Sequence, residues 1–139
     1  HKNKDWLHYR LSRVVFGVIR LGHRKGKEAR MAYDDGLAEL LRNDLVDLAG
    51  IVEKRMFGGL CFMWNGNMLC GVHQGGGMFR VGKTRHATAL EIQGVDPMGF
   101  TGRPMGGMID VSDEAMVDDA RRGVCLRLAM DFVGSLPAK

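Results

Sequence analysis

Met56-Phe57-Gly58-Gly59-Leu60-Cys61-Phe62-Met63-Trp64-Asn65-Gly66-Asn67-Met68-Leu69-Cys70-Gly71 sets an Asn-Gly pair between two runs of apolar, strand-favouring residues. Asn and Gly supply the positive φ angles that a two-residue type I′ turn requires, so the stretch reads as a β-hairpin turning at Asn65 and Gly66. A regular ladder from that turn sets Trp64 opposite Asn67, Met63 opposite Met68, Phe62 opposite Leu69 and Cys61 opposite Cys70. Strand alternation then gives Leu60, Phe62, Trp64 and Leu69 to one face, and Cys61, Met63, Met68 and Cys70 to the other. Neither face is polar. One face is expected to meet helices and the other a second layer or a partner, and from this we expect self-association as a homodimer.

Elements on either side follow from the same kind of pattern. From Asp34 a helix begins, with acids where its N-terminal dipole favours them; Leu37, Leu40, Leu41, Leu45 and Leu48 form its apolar stripe, and Gly50 stops it. Strands are expected near 52–57, 60–64, 67–73 and 78–81, with Gly75-Gly76-Gly77 as the last connecting loop, then a short helix over 84–92. Gly94-Val95-Asp96-Pro97 reads as a turn, followed by short strands around 98–100 and 106–111 joined by a glycine-rich loop. Ser112 is a good N-cap for a final helix that carries Val117, Ala120, Val124, Leu128, Phe132 and Val133 toward a core. The order α-β-β-β-β-α-β-β-α makes an α+β, two-layer fold, an antiparallel sheet covered by helices.

At 139 residues and 45% hydrophobic, the chain has apolar material for one compact core rather than two. No apolar run approaches the roughly twenty residues that cross a bilayer, and no secretory leader is recognisable, so no transmembrane segment and a cytoplasmic location are expected. Three cysteines do not make a secreted disulfide framework, and reduced thiols are the plain reading. The regular hairpin register would still hold Cys61 and Cys70 about 4.5 Å apart at Cα, at the short end of what a disulfide spans.

The formal charge of +4 is unevenly shared. Residues 1–30 carry nine Lys/Arg against Asp5 and Glu28, whereas residues 31–139 carry eleven against fourteen acids. The first segment reads as a basic amphipathic helix, with Leu7, Leu11, Val14, Val15 and Val18 at helical spacing and Arg10, Arg13 and Arg20 between them, ended by Gly22 to Gly26. Arg10, Arg13, Arg20, Arg24 and Lys25 make it a candidate basic arm for nucleic-acid phosphates or an anionic surface, and any DNA contact is expected there alone. Docking on the rest of the protein is a third use. Met31-Ala-Tyr-Asp looks like a natural start, which makes translated upstream sequence an alternative origin for this extension.

Met31-Ala-Tyr-Asp before a leucine-striped helix, Met56-Phe57-Gly58-Gly59-Leu60, the Asn65-Gly66 hairpin, Phe79-Arg80-Val81-Gly82, Arg103-Pro104-Met105 and the ending Leu136-Pro137-Ala138-Lys139 together resemble the N-terminal domain of the TfoX (Sxy) competence regulators. The resemblance covers residues 31–139. It implies a secretion-chaperone-like α+β fold and a non-enzymatic, transcription-regulating role exerted through protein contacts. Full-length members add a C-terminal helix-hairpin-helix-like domain and work with the cyclic-AMP receptor protein at DNA-uptake genes. This sequence stops at Lys139, and Gly107 stands where the family often has an aromatic. The motif positions Met56, Phe57, Gly58, Gly59, Arg80, Arg103, Pro104 and Met105, with Met108, are the candidate interaction surface. Met105 and Met108 are the expected exposed contacts, while most of the ten methionines are expected to fill the core.

Other motifs weigh less. Gly77-Met78-Phe79-Arg80-Val81-Gly82-Lys83-Thr84 matches the phosphate-binding G-x-x-x-x-G-K-[ST] pattern, an outside alternative, but Met78 to Val81 alternates like a strand and no βαβ unit surrounds it. Cys70 and His73, three apart on one strand, point to opposite faces and do not make a metal pair. Asp118-Asp119 before Arg121-Arg122 reads as a solvated helix face with local ion pairs. No nucleophile constellation stands out, and no enzyme activity, cofactor, metal or small-molecule substrate is expected.

Overall fold

Asp34 opens the first helix by accepting a hydrogen bond from the Gly36 amide at 2.8 Å, and the leucine stripe that follows is buried as its spacing requires. The computed structural model describes residues 33–56, 58–100 and 103–139, without the side chains of residues 100 and 103–105. Along the chain come α1 (Asp35–Asp44), β1 (Ile51–Met56), β2 (Gly59–Trp64), β3 (Asn67–His73), β4 (Gly76–Arg80), α2 (His86–Leu90), β5 (Val95–Phe100), β6 (Arg103–Ser112), α3 (Asp113–Met116) and α4 (Asp119–Val133). The strands form one sheet in the order β1-β2-β3-β4-β6-β5, with every pair antiparallel. The expected α+β architecture holds. Among the described residues no helix is long and apolar enough to cross a membrane.

The helices gather on one face. Their apolar residues, among them Leu41, Ala89, Met116, Cys125 and Ala129, join Leu60, Phe62, Val72, Phe79, Ile109 and Val111 of the strands in the main core. On the opposite face Cys61, Met68, Met78, Met98 and Met108 form a second cluster, flanked by Met56 and Met63, and every member comes from a strand. Core filling is thus what these methionines do. Their burial also removes the stated reason for self-association, because this apolar face is not left in water.

Three expectations of local structure are corrected. The hairpin turns at Asn65 (φ 52°) and Gly66 (φ 85°) as expected, and Trp64 faces Asn67 and Met63 faces Met68; beyond them a bulge at Leu69 sets Phe62 opposite Cys70 and Cys61 opposite Gly71. The extra residue sends Cys70 to the helix side while Cys61 stays with the methionines. All three cysteines are free and buried.

The second correction concerns the last helix. It is broken at Val117, and Asp118 caps a new helix by accepting from the amides of Ala120 and Arg121. The break resets the helical phase. Val117 and Val124, expected inward, are 42% and 49% exposed, and Cys125, Leu126, Leu128, Ala129 and Val133 take the core positions. The segment expected as a turn at 94–97 is strand from Val95 onward, and Pro97 is tolerated because β5 is an edge strand.

Candidate interaction surface

Two groups of motif residues lie at opposite ends of the sheet. Met56 pairs with Gly59 across the β1–β2 turn, and Gly59 packs against the backbone of Val72 and His73. β4 starts beside His73 and Ser112 and ends at Arg80, which faces Met108. Four residues of strand, about 13 Å, therefore separate the Met56–Gly59 turn from Arg80 and Met108 along the strand direction. Met56, Gly58 and Gly59 make one site and Arg80 another. Phe57 and the side chains of Arg103, Pro104 and Met105 lie outside the described residues, as do Arg10, Arg13, Arg20, Arg24 and Lys25 of the basic arm.

Met108 is not the exposed contact its glycine-rich neighbourhood suggested. It sits in β6, 7% exposed, inside the methionine cluster, because β6 runs on through the glycines as far as Arg103. The Arg80 guanidinium lies 5.5 Å from the centre of the Phe132 ring, a cation–π contact that ties the end of β4 to α4. Gly107 accepts from the Val81 and Gly82 amides and donates to His86 Nδ1 at 3.2 Å. With its backbone against Gly82, the position has no room for the aromatic side chain that the family often carries there.

Gly77 to Arg80, the first half of the phosphate-loop pattern, is extended strand paired on both sides, to β3 and to β6. Its backbone amides belong to a ladder rather than an anion nest. Cys70 and His73 fall on opposite faces of β3. His73 Nε2 is 2.6 Å from Asp110 Oδ1 and 3.1 Å from the Gly77 carbonyl oxygen, and the Gly75 amide donates to Nδ1. Burial pushes the Cys61 and Cys125 thiols up to about 11 and Cys70 well above its ordinary value, which leaves all three protonated at neutral pH.

The hydrogen bond to Asp110, opposed by burial, raises the His73 pKa above its ordinary value. A raised folded-state pKa contributes stability below the unfolded value near 6.5, and that contribution fades as pH climbs through the folded value. The added proton goes to Nδ1, which the Gly75 amide now occupies, and Asp110 is partly solvated, so the gain is modest. Asp110→Asn should therefore cost on the order of 1 kcal/mol at pH 5.5 and less at pH 8.5, measured by urea unfolding at both.

Two features escaped the sequence reading. Arg122, taken there for part of a solvated face, is fully buried; its Nε donates to Asp44 at 2.7 Å, a second nitrogen donates to Asp119, and the third to the Met116 carbonyl at 2.7 Å. Only Arg121, paired with Asp118 at 2.7 Å, keeps the surface role expected of both arginines. The other feature is β1, whose central residues Val52 to Arg55 are exposed, Val52 at 63%. Its charged run Glu53-Lys54-Arg55 was the signal of an edge strand.

The geometry defines a two-layer α+β domain that offers an accessible sheet edge and two separate loop ends. The TfoX N-terminal domain family model matches residues 43–133, about two thirds of the sequence, and the chain belongs to that family. No curated protein and no solved structure matches it significantly.

Proposed function

We propose that this chain is a non-enzymatic protein-interaction module that acts in transcription regulation, as its resemblance to the competence regulators implies, in the cytoplasm and as a homodimer. The observation that carries the reading is β1: a six-residue edge strand with one row of backbone groups unpaired in the sheet and its middle residues in solvent. Such an edge binds another strand by main-chain hydrogen bonds, with side chains such as Val52 setting the partner. The adjoining Met56, Gly58 and Gly59 extend the same margin. Size-exclusion chromatography with light scattering on the full chain should give a dimer, and Arg55→Pro, which removes a backbone donor that points away from β2 at an exposed site, should give a monomer with unchanged secondary structure. A wild-type monomer at all micromolar concentrations would end the dimer reading.

A second reading has one observation in its favour, the nine Lys/Arg of residues 1–30. On that reading the extension holds nucleic-acid phosphates by counterion release. Anisotropy of a labelled duplex should then rise with the full chain at low salt and collapse as salt increases, and replacing Arg10, Arg13 and Arg20 together by Gln should flatten the salt slope. No rise at low salt excludes it.

A further inference from the structure

β1 offers a partner one of its two rows of backbone groups, and the register with β2 decides which. The Asn65 amide donates to the Gly50 carbonyl, and the ladder then runs without a shift to Met56 opposite Gly59. Hydrogen-bonded and non-hydrogen-bonded pairs alternate along such a ladder, so Val52, Lys54 and Met56 bond to β2 while Ile51, Glu53 and Arg55 turn their amides and carbonyls outward. These outward three carry their side chains on the helix face, opposite Trp64, Phe62 and Leu60. There Arg42 holds the Glu53 carboxylate at the sheet margin with two nitrogens, at 2.7 and 2.9 Å. An ionised carboxylate has acceptor sites beyond those two. Arg55, exposed on the same face, has no ion-pair partner among the described residues.

We infer that the strand bound at this edge is β1 of a second copy, antiparallel, with Glu53 of each copy opposite Arg55 of the other and the two-fold axis at Lys54, an assignment that rests on the homodimer proposed above. Outward residues must meet outward residues, so the registers that overlap three or more residues of β1 centre on Val52, Glu53, Lys54 or Arg55. Centred on Val52 the ladder stops at three residues, because Gly50 leaves extended backbone with φ 89°. Centred on Glu53 it opposes two carboxylates, and centred on Arg55 two guanidiniums; like charges directly opposite destabilise a strand pair. The register centred on Lys54 instead matches Glu53 with Arg55 twice by symmetry and keeps residues 52 to 56 in the ladder. On the other face it sets Val52, 63% exposed, against the half-buried Met56 of the second copy. The two Lys54 side chains then face each other across the axis, a repulsion that keeps the dimer reversible.

Disulfide trapping in the full chain under mild oxidation, joined to light scattering, tests the register. Lys54 forms a non-hydrogen-bonded pair with its own copy, about 4.5 Å apart at Cα, so Lys54→Cys should give a disulfide-linked dimer. Val52→Cys should not, because its copy lies four residues away along the ladder, about 13 Å. The three native cysteines are buried and stay out of the reaction. Arg55→Glu should weaken the dimer about ten-fold, and Lys54→Thr should tighten it about two-fold. Residues 52 to 55 are exposed, so these variants keep the fold, which unchanged circular dichroism confirms. A wild-type dimer that Val52→Cys links and Lys54→Cys does not, or that Arg55→Glu leaves as tight as before, overturns the register while the homodimer stands. A dimer that survives Arg55→Pro places the contact away from β1 and overturns the inference outright. A wild-type monomer at all micromolar concentrations overturns the homodimer and the register together.

Discussion

Arg122→Met should destabilise the protein by about 3–5 kcal/mol in urea unfolding, the largest loss expected from any single polar substitution in the described structure. The guanidinium holds three acceptors at once: Asp44 at the end of α1, Asp119 in the first turn of α4 and the last carbonyl of α3. Removing it takes from two carboxylates, each about 4% exposed, the buried cation that they share. One oxygen of Asp119 has no hydrogen-bond partner even with the arginine in place. The damage is therefore the cost of keeping two carboxylates buried after the loss of this cation, more than the net worth of the ion pairs. It follows that the triple variant Arg122→Met, Asp44→Leu, Asp119→Leu should recover much of the lost stability, because apolar side chains of similar size satisfy a dry site. A single variant no worse than about 1 kcal/mol would show that water reaches the network.

Gly59→Ala is expected to cost about 2–3 kcal/mol, and the adjacent Gly58→Ala no more than about 1 kcal/mol. The two glycines of the motif are required for different reasons. Gly58 takes a positive φ of 73° with open space around it, so an added methyl meets only backbone preference. Gly59 faces the Val72 carbonyl of β3, and a Cβ there collides with main chain that cannot step aside without parting β2 from β3. Gly58→Asn, which tolerates left-handed backbone, should be nearly neutral. Thermal unfolding of the three variants orders them, and an alanine at 59 as harmless as one at 58 would mean that the β2–β3 spacing can relax.

What the sequence made legible was local. The Asn-Gly turn, the leucine stripe of α1 with its Asp34 cap, and the antiparallel run of strands each depend on residues within a few positions of one another, and each was readable. The bulge at Leu69 was not, since nothing in Met68-Leu69-Cys70 departs from good strand composition; the helix core, which accepts both Leu69 and Cys70, decides it. The break before Asp118 had a readable signal, an Asp able to cap, masked by the stronger cap at Ser112 six residues earlier. Arg122 could not be placed because its principal partner, Asp44, is 78 residues away. The candidate surface divided in two for the same reason: motif residues gathered by their order in the chain were distributed by strand pairing to both ends of the sheet.

The one extra residue in β3 has a chemical consequence. A straight ladder would have left Cys61 and Cys70 side by side, ready to be joined by any passing oxidant. With Leu69 interposed, a full thickness of backbone stands between the two sulfurs, and each thiol is buried in a different apolar layer. A disulfide between these two positions is closed to the fold by a single insertion, and deleting that residue is the shortest route to a version that can form one.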